Sequence, residues 1–371
     1  MNRIPFRHGL VVGKFYPPHR GHEYVIQTAA THCGHVTVAV LGASVESIPV
    51  ERRVQWLQSS FANAPHVRVV GEVDDVPVDY HSATVWQAHE DIMRRAVRNA
   101  DRQFGSVPAV DAVFTSESYG DELARRFGSA HVCLDPARHL YPTSGTAVRA
   151  DIVSQWPMLP PVVQAGLTLR VVCVGAESTG TTTLSRAVVA ALRQRGGVWQ
   201  NTQWVPEYGR EYSANRLALA RAQRPGANMH NIDWCAADFV HVATRQCVRE
   251  DAAARIGSPV LVCDTDAFAT GVWHTRYLGD TSPGVATITR SMPARGLYIL
   301  TSELGVPFVD DGLRDGEQLR PWMTQRFRTL LQQQPAAWIE VTGTPQARCT
   351  QALAAIDAQA AIAWKFADPL G

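Results

Sequence analysis

Short apolar runs alternate with longer stretches of helical period along this chain. Such alternation marks parallel strands covered by helices. In the first half the apolar runs predict strands at 9–13, 36–41, 67–71, 109–114 and 130–134. Helices are predicted between them at 21–32, 50–62, 83–102 and 121–127, with one more opening near Gly145. The pattern breaks at Trp156-Pro157-Met158-Leu159-Pro160-Pro161, because three prolines in five residues suit neither a helix interior nor a central strand. A second alternation starts near Leu167, with strands predicted at 168–174, 260–263, 296–301 and 338–341. Its helices are predicted at 182–195, 231–254, 318–333 and 345–361, and residues 217–231, rich in Arg, Pro and Gly, read as a loop or flap. The expectation is an α/β protein in two parts: a Rossmann-like domain over 1–156, a linker over 157–166, and a second parallel α/β domain over 167–371.

Composition narrows the function classes. A chain of 371 residues suits two cores. With 46% hydrophobic and 19% charged residues it reads as globular, and a net charge of +1 lacks the basic excess of a protein that lives on nucleic acid or an anionic membrane. The seven cysteines are scattered, without the close pairs of a zinc site, and several fall in apolar runs. They read as small buried hydrophobes of a reducing compartment. No signal peptide or membrane span is evident, so a cytoplasmic location is expected.

Candidate chemistry concentrates after two strands. Gly13-Lys14-Phe15-Tyr16-Pro17-Pro18-His19-Arg20-Gly21-His22 leads from the first strand into a helix, where open α/β sheets bind ligands. Backbone amides, the helix dipole and imidazolium protons of His19 and His22 would hold polyphosphate there. A metal pair or two surface histidines are the competing readings. The decapeptide resembles the signature of the adenylyltransferase branch of the nucleotidyltransferase superfamily. A second motif of that branch is matched by Ser144-Gly145-Thr146-Ala147-Val148-Arg149, in which Ser144 or Thr146 caps a helix and Arg149 points toward the same charge. Thr115-Ser116-Glu117-Ser118-Tyr119-Gly120 looks like a stretch of the nicotinamide-specific members. Trp86 is a candidate platform for a cationic pyridinium, or else a core anchor of its helix. The resemblance implies attack of a mononucleotide phosphate on the α-phosphorus of ATP, with Gly13, Lys14, Phe15, His19, Ser144, Gly145 and Thr146 binding ATP and phosphate. His22 and Arg149, aided by His19, would steady the developing charge.

The second domain opens with a strand, then Gly175-Ala176-Glu177-Ser178-Thr179-Gly180-Thr181-Thr182-Thr183, then a helix. This is a phosphate loop with Thr181 in place of its lysine and Thr182 where the magnesium-binding hydroxyl belongs. Val260-Leu261-Val262-Cys263-Asp264-Thr265-Asp266 ends in two carboxylates, of which Asp264 or Asp266 suits the acid near magnesium. Glu207-Tyr208-Gly209-Arg210-Glu211 offers groups to bind ribose hydroxyls, with Glu207, Tyr208, Arg210 and Asp266 as the riboside set. Arg314 and Arg320, in a charged segment after the third strand, are candidate lid cations that replace the lost lysine. The competing reading of that segment is a solvated loop.

Taken in order, these motifs resemble the NadR family of bifunctional nicotinamide-nucleotide adenylyltransferases and ribosylnicotinamide kinases, in a form without the N-terminal helix-turn-helix some members carry. The resemblance implies a Rossmann-like nucleotidyltransferase domain followed by a phosphate-loop kinase-like domain. Its substrates and products would be ATP, nicotinamide mononucleotide, nicotinamide riboside and NAD. Magnesium would arrive with ATP, held through Thr182 and Asp264, and no tightly bound organic cofactor is expected. No nucleic-acid or membrane partner is expected, and a homo-oligomer stays open. Three alternatives remain. The second domain is a weak or inactive nucleotide sensor, the chain is an NAD-responsive regulator, or the first site serves another phosphate acceptor such as phosphopantetheine or a sugar phosphate.

Overall fold

A computed structural model describes residues 5–79 and 81–370. The chain divides into two compact units, residues 1–163 with 364–371, and residues 164–363. In the first unit the order is β1 (Phe6–Gly13), α1 (Arg20–His32), β2 (Cys33–Gly42), α2 (Val50–Ser60), β3 (Val67–Val73), α3 (Ala83–Phe104), β4 (Ala112–Thr115), α4 (Gly120–Phe127), β5 (Ala130–Cys133), α5 (Gly145–Ala150) and α6 (Ile152–Gln155). The five strands are parallel, in the order β3-β2-β1-β4-β5. Strand alternation sorts the core into two faces. Val11, Val38 and Val40 pack with Val25 and Ile26 of α1 and Leu57 of α2, whereas Leu10, Val12 and Leu41 pack with Ile92 and Met93 of α3 and Leu123 of α4. The order in which strands are added reverses between β1 and β4, so the carboxyl end of β1 lies at the crevice where such a fold places ligands.

The Pro-rich stretch is ordered rather than a loose linker. Trp156–Met158 forms a 3-10 turn and α7 (Pro161–Leu167) follows it, with Trp156, Leu159 and Val163 buried. Its prolines are tolerated because they sit at helix starts, where their missing N–H is not needed.

The second unit runs β6 (Leu169–Gly175), α8 (Thr181–Arg193), β7 (Gln203–Val205), α9 (Tyr208–Gln223), α10 (Ala236–Ala254), β8 (Val260–Asp264), α11 (Ala267–Leu278), α12 (Pro283–Ser291), β9 (Leu297–Thr301), α13 (Arg320–Leu331), β10 (Ala337–Val341) and α14 (Pro345–Ala363). Its parallel order is β10-β9-β6-β8-β7, with the glycine loop leaving the central strand β6. Residues 217–231 are not a flap. The segment continues α9 to Gln223, and Leu217, Met229 and Ile232 close a small apolar cluster with Trp234 and Leu313. The second domain also stops short of its expected end, since residues 364–371 belong to the first unit. Among the described residues no helix is long and apolar enough to cross a membrane.

Candidate active sites

The loop after β1 is held from beneath by a buried guanidinium. Arg53 of α2 pairs with Glu46 at 2.6 Å, donates to the Lys14 carbonyl at 3.0 Å and to Ile48 at 2.8 Å, and lies 4.5 Å from the Tyr16 ring centroid. Phe15 adopts a φ of +48°, a conformation that a bulky side chain keeps only where its surroundings impose it. Gly13 leaves room for it, because a Cβ there would lie 3.2 Å from the Phe15 ring.

His19 stands at the N-cap of α1 and His22 one turn in, their rings stacked at 3.6 Å. Burial, and then Arg138, lowers His19 to about 3. Burial, then His19 and Arg138, holds His22 well below its usual value. Their protein surroundings thus hold both rings toward the neutral form, against the imidazolium expected from sequence. The His19 backbone N–H donates to His22 Nδ1 at 3.2 Å, so the neutral His22 ring carries its proton on Nε2.

The second motif docks on the first. Ser144, not Thr146, caps α5, accepting from the Ala147 N–H at 3.0 Å. Arg149 donates to the Tyr16 carbonyl at 2.7 Å and to Thr146 Oγ1 at 3.3 Å. A Cβ on Gly145 would lie 2.9 Å from that same Tyr16 oxygen and 3.2 Å from the Arg149 guanidinium. Gly145→Ala is accordingly expected to push the two motifs apart by tenths of an ångström. The adenylyl transfer that the sequence resemblance implies should then fall about tenfold with little change in melting temperature, read by pyrophosphate release.

All the residues predicted for this site, Gly13, Lys14, Phe15, Trp86, His19, His22, Ser144, Gly145, Thr146 and Arg149, line one cavity of about 490 Å³. Trp86 packs among Leu10, Val12 and Met93 with the Arg126 guanidinium 5.2 Å from its ring, and it also faces the cavity. Three features carry no sequence signal. Arg138, bound to Glu117 at 2.5 Å, supplies a cation; Asp74 and His89 line the α3 side; and the segment around Ala367 seats on the loop. There Tyr16 Oη donates to the Ala367 carbonyl at 2.9 Å and Lys14 donates to the carbonyl of Leu370.

In the second unit the glycine loop turns through left-handed Ser178 (φ +57°) and Gly180 (φ +90°), the alternation that gathers backbone amides around an anion. Gly175 admits nothing larger, since a Cβ would lie 2.3 Å from Thr301 Oγ1. Thr182 Oγ1 donates to Asp264 Oδ2 at 2.5 Å. Burial raises the Asp264 carboxyl, opposed by the hydrogen bond from Thr182. Glu207 is pushed up to about 8, first by burial and then by the Asp264 charge. A cavity of about 130 Å³ is lined by Gly175, Glu177, Ser178, Thr181, Thr182, Glu207, Arg210, Asp264 and Arg314 among others.

Several predicted residues stand outside it. Asp266 is fully buried, caps α11 through the Ala269 N–H, and is bound by Arg295 at 3.0 Å and Tyr298 Oη at 2.8 Å; it is structural rather than riboside-binding. Tyr208 faces His241 at 3.0 Å and lies under Arg249. Thr179 is buried against Thr301 at 2.6 Å, and Gly180 and Thr183 do not reach the cavity. Arg320 is a buried strut on the carbonyls of Val306, Glu303 and Ser178, not a lid cation.

Arg314 does lie over the loop, donating to the Val309 carbonyl at 2.7 Å with Ser178 Oγ at 3.4 Å. Its segment is pinned. Val309 N–H donates to Ser178 Oγ at 2.8 Å, Gly316 N–H donates to Glu177 at 2.9 Å, and buried Arg276 bridges Glu177 and Asp315. Sequence reasoning missed Arg276. It also missed the wall of Tyr212, Trp234, Phe239, Trp273 and Tyr277, whose rings approach within 5.5 Å (Trp234 to Tyr277). A cationic aromatic ring is the ligand such a wall suits.

Two parallel five-stranded sheets, each with a glycine loop at its carboxyl edge beside a cavity that gathers cations, define a two-domain α/β protein whose second half carries a phosphate loop. The family model of the AAA domain matches residues 170–348. The Trifunctional NAD biosynthesis/regulator proteins NadR of Escherichia coli (strain K12) and of Salmonella typhimurium (strain LT2) are each 25% identical over 321 residues, covering 82% of this chain and 71% of theirs. Crystal structures of NadR protein in complex with NR, and in complex with NAD and AMP-PNP, superpose with TM-scores of 0.68 and 0.65 at 19% and 18% identity, over 96% of both chains in each case. The chain is a distant homologue of NadR.

Proposed function

We propose that the first unit transfers AMP from ATP to nicotinamide mononucleotide, releasing pyrophosphate and forming NAD, and that the second phosphorylates nicotinamide riboside at its 5′-hydroxyl. The observation that carries the first activity is the meeting of two distant motifs at one carbonyl, Tyr16 O, beneath a cavity of nucleotide size. The attacking phosphate is ionised at pH 7, so the unit needs no general base. It needs alignment, together with donors aimed at the charge that develops on the α-phosphate. Arg149 supplies a cation and His22 Nε2 a neutral N–H; Lys14 and Arg138 lie in reach of the remaining phosphate oxygens.

In the second unit, Glu207 lines the cavity and is our candidate to take the hydroxyl proton, its proton affinity raised by burial and the Asp264 charge. Thr182 and Asp264 fit a magnesium ion that enters with ATP: a hydroxyl and a buried carboxylate converge beside the loop, and among the described residues no cluster of three or more His, Cys, Asp or Glu is built to hold a metal alone. Magnesium, when bound, neutralises charge on the phosphates. The aromatic wall supports the pyridinium riboside as acceptor.

Thr181 favours a second reading, in which this unit binds nucleotide without turning it over. Purified protein incubated with nicotinamide riboside, ATP and magnesium decides between them. Both activities predict ADP, nicotinamide mononucleotide and then NAD. NAD formed from supplied mononucleotide but not from the riboside leaves the single-activity reading standing, and the absence of pyrophosphate release with either substrate rejects the first activity.

A further inference from the structure

Residues 365–370 form neither helix nor strand, yet they lie against the first unit with a defined inner side. Phe366, Ala367, Pro369 and Leu370 are half-buried, whereas Lys365 and Asp368 are exposed. What the segment covers is the loop after β1. The Phe366 ring meets Tyr16 edge-on at 6.3 Å, and Pro369 stands in the wall of the first cavity. The Ala367 N–H donates to Ser47 Oγ at 2.5 Å, and the Ala367 carbonyl accepts from Tyr16 Oη at 2.9 Å. Farther along, the Leu370 carbonyl accepts from Lys14 Nζ.

These contacts engage cations that line the cavity. Lys14 is a charged donor given a neutral acceptor. The Glu46 carboxylate stands 4.0 Å from it and is already paired with Arg53 at 2.6 Å. Asp368 adds its negative charge to the field at Arg149, a second cation of the same cavity. A carbonyl on one cation and a carboxylate near another imitate, weakly, what bound phosphates supply. A phosphate oxygen makes the better partner, because an ionised acceptor roughly doubles the strength of such a hydrogen bond. The segment is also releasable. Its backbone is held by side chains of the loop and not by a strand ladder, so it can leave without opening the sheet.

We propose that residues 365–370 are an autoinhibitory strap: seated, they hold Lys14 on the Leu370 carbonyl and close the phosphate end of the first cavity, and ATP binds by displacing them. The inference rests on the reading that this cavity takes the phosphates of ATP. Affinity for ATP is then lowered by the fraction of molecules in which the strap is seated.

Two measurements test it. In a chain shortened to end at Trp364, KM for ATP in adenylyl transfer at saturating nicotinamide mononucleotide is expected to fall about tenfold, the scale of one charge-assisted hydrogen bond no longer exchanged. Its kcat is expected to stay within about twofold of the full chain, since the strap is absent from the ATP-bound state in both. A KM that is unchanged or raised overturns the proposal and makes the segment part of the site's frame. In the full chain, hydrogen exchange is followed in peptides covering 13–22 and 365–370, with and without a saturating non-hydrolysable ATP analogue. Protection of 13–22 together with faster exchange at 365–370 is expected. Protection of 13–22 with 365–370 unmoved or also protected shows that strap and nucleotide bind together, and overturns the proposal. If the shortened chain fails to fold, the exchange experiment decides alone. A full chain that shows neither protection at 13–22 nor adenylyl transfer removes the reading of the first site itself, a different result from a strap that stays seated.

Discussion

Replacing His22 with glutamine is expected to lower NAD formation from nicotinamide mononucleotide and ATP about 10²–10³-fold, through kcat more than KM. The magnitude is that of deleting one donor from a site that stabilises developing oxyanion charge, about 2.7–4 kcal/mol. The reason lies in the tautomer. His22 is buried and neutral, its Nδ1 is taken up by the His19 backbone N–H, and its one remaining polar atom is the Nε2 proton on the cavity side. A neutral donor costs less to desolvate in the empty site than an imidazolium, and it gains most when charge grows on the phosphate. Glutamine is the informative replacement. At the third position of a helix it still accepts from the N-cap backbone, so α1 keeps its start while the imidazole N–H is lost. Alanine removes both, and its melting temperature should drop by the equivalent of about 1 kcal/mol while glutamine's does not. Pyrophosphate release within fivefold of wild type for the glutamine variant would show that the developing charge is met elsewhere.

How much of this was legible beforehand follows from where each signal resides. The strand cores were readable because their apolar runs are contiguous, and the loops after β1 and β6 because glycine, proline and phosphate-facing residues sit side by side. α11 escaped notice for the opposite reason. It is buried between α10 and neighbouring helices, so Ala267–Leu278 lacks a continuous polar face to mark the period. Residues 217–231 were misjudged because Arg, Pro and Gly near 221–226 masked the end of α9. At the sites, partners close in sequence could be guessed and partners distant in sequence could not. Asp266 looked catalytic as the second carboxylate after β8, yet Arg295 and Tyr298, about thirty residues on, claim it. The Asp74–His89 pair and the Arg276 bridge involve residues 15 and 99 positions apart, with no motif around either.

The missing lysine of the glycine loop leads to the largest effect expected. Arg314→Ala should lower phosphorylation of nicotinamide riboside about 10³-fold or more, the scale on which a single arginine acts on a phosphoryl-transfer transition state. Four other arginines near the loop are committed. Arg276 is 3% exposed and bound to two carboxylates. Arg320 and Arg348 are spent on backbone carbonyls, the latter on Thr179 at 2.9 Å and Ser302 at 3.0 Å. Arg210 lines the cavity but is paired with Asp311. Arg314 lines the same cavity with its guanidinium on two neutral oxygens, Val309 O and Ser178 Oγ, and the Asp311 carboxylate farther off at 3.6 Å. On the proposed kinase reading, a charge so placed would reach bound phosphates from above the loop, where the usual lysine would reach them from α8. Arg314→Lys should recover only part of the rate, because an ammonium lacks the planar fork. The stricter check adds Thr181→Lys to Arg314→Ala. If the two cations are interchangeable, the double variant regains at least one decade over Arg314→Ala alone, while NAD formation from supplied mononucleotide stays unchanged in every chain as the internal control. An Arg314→Ala protein that phosphorylates the riboside within fivefold of wild type removes Arg314 from the chemistry and turns attention to Arg210.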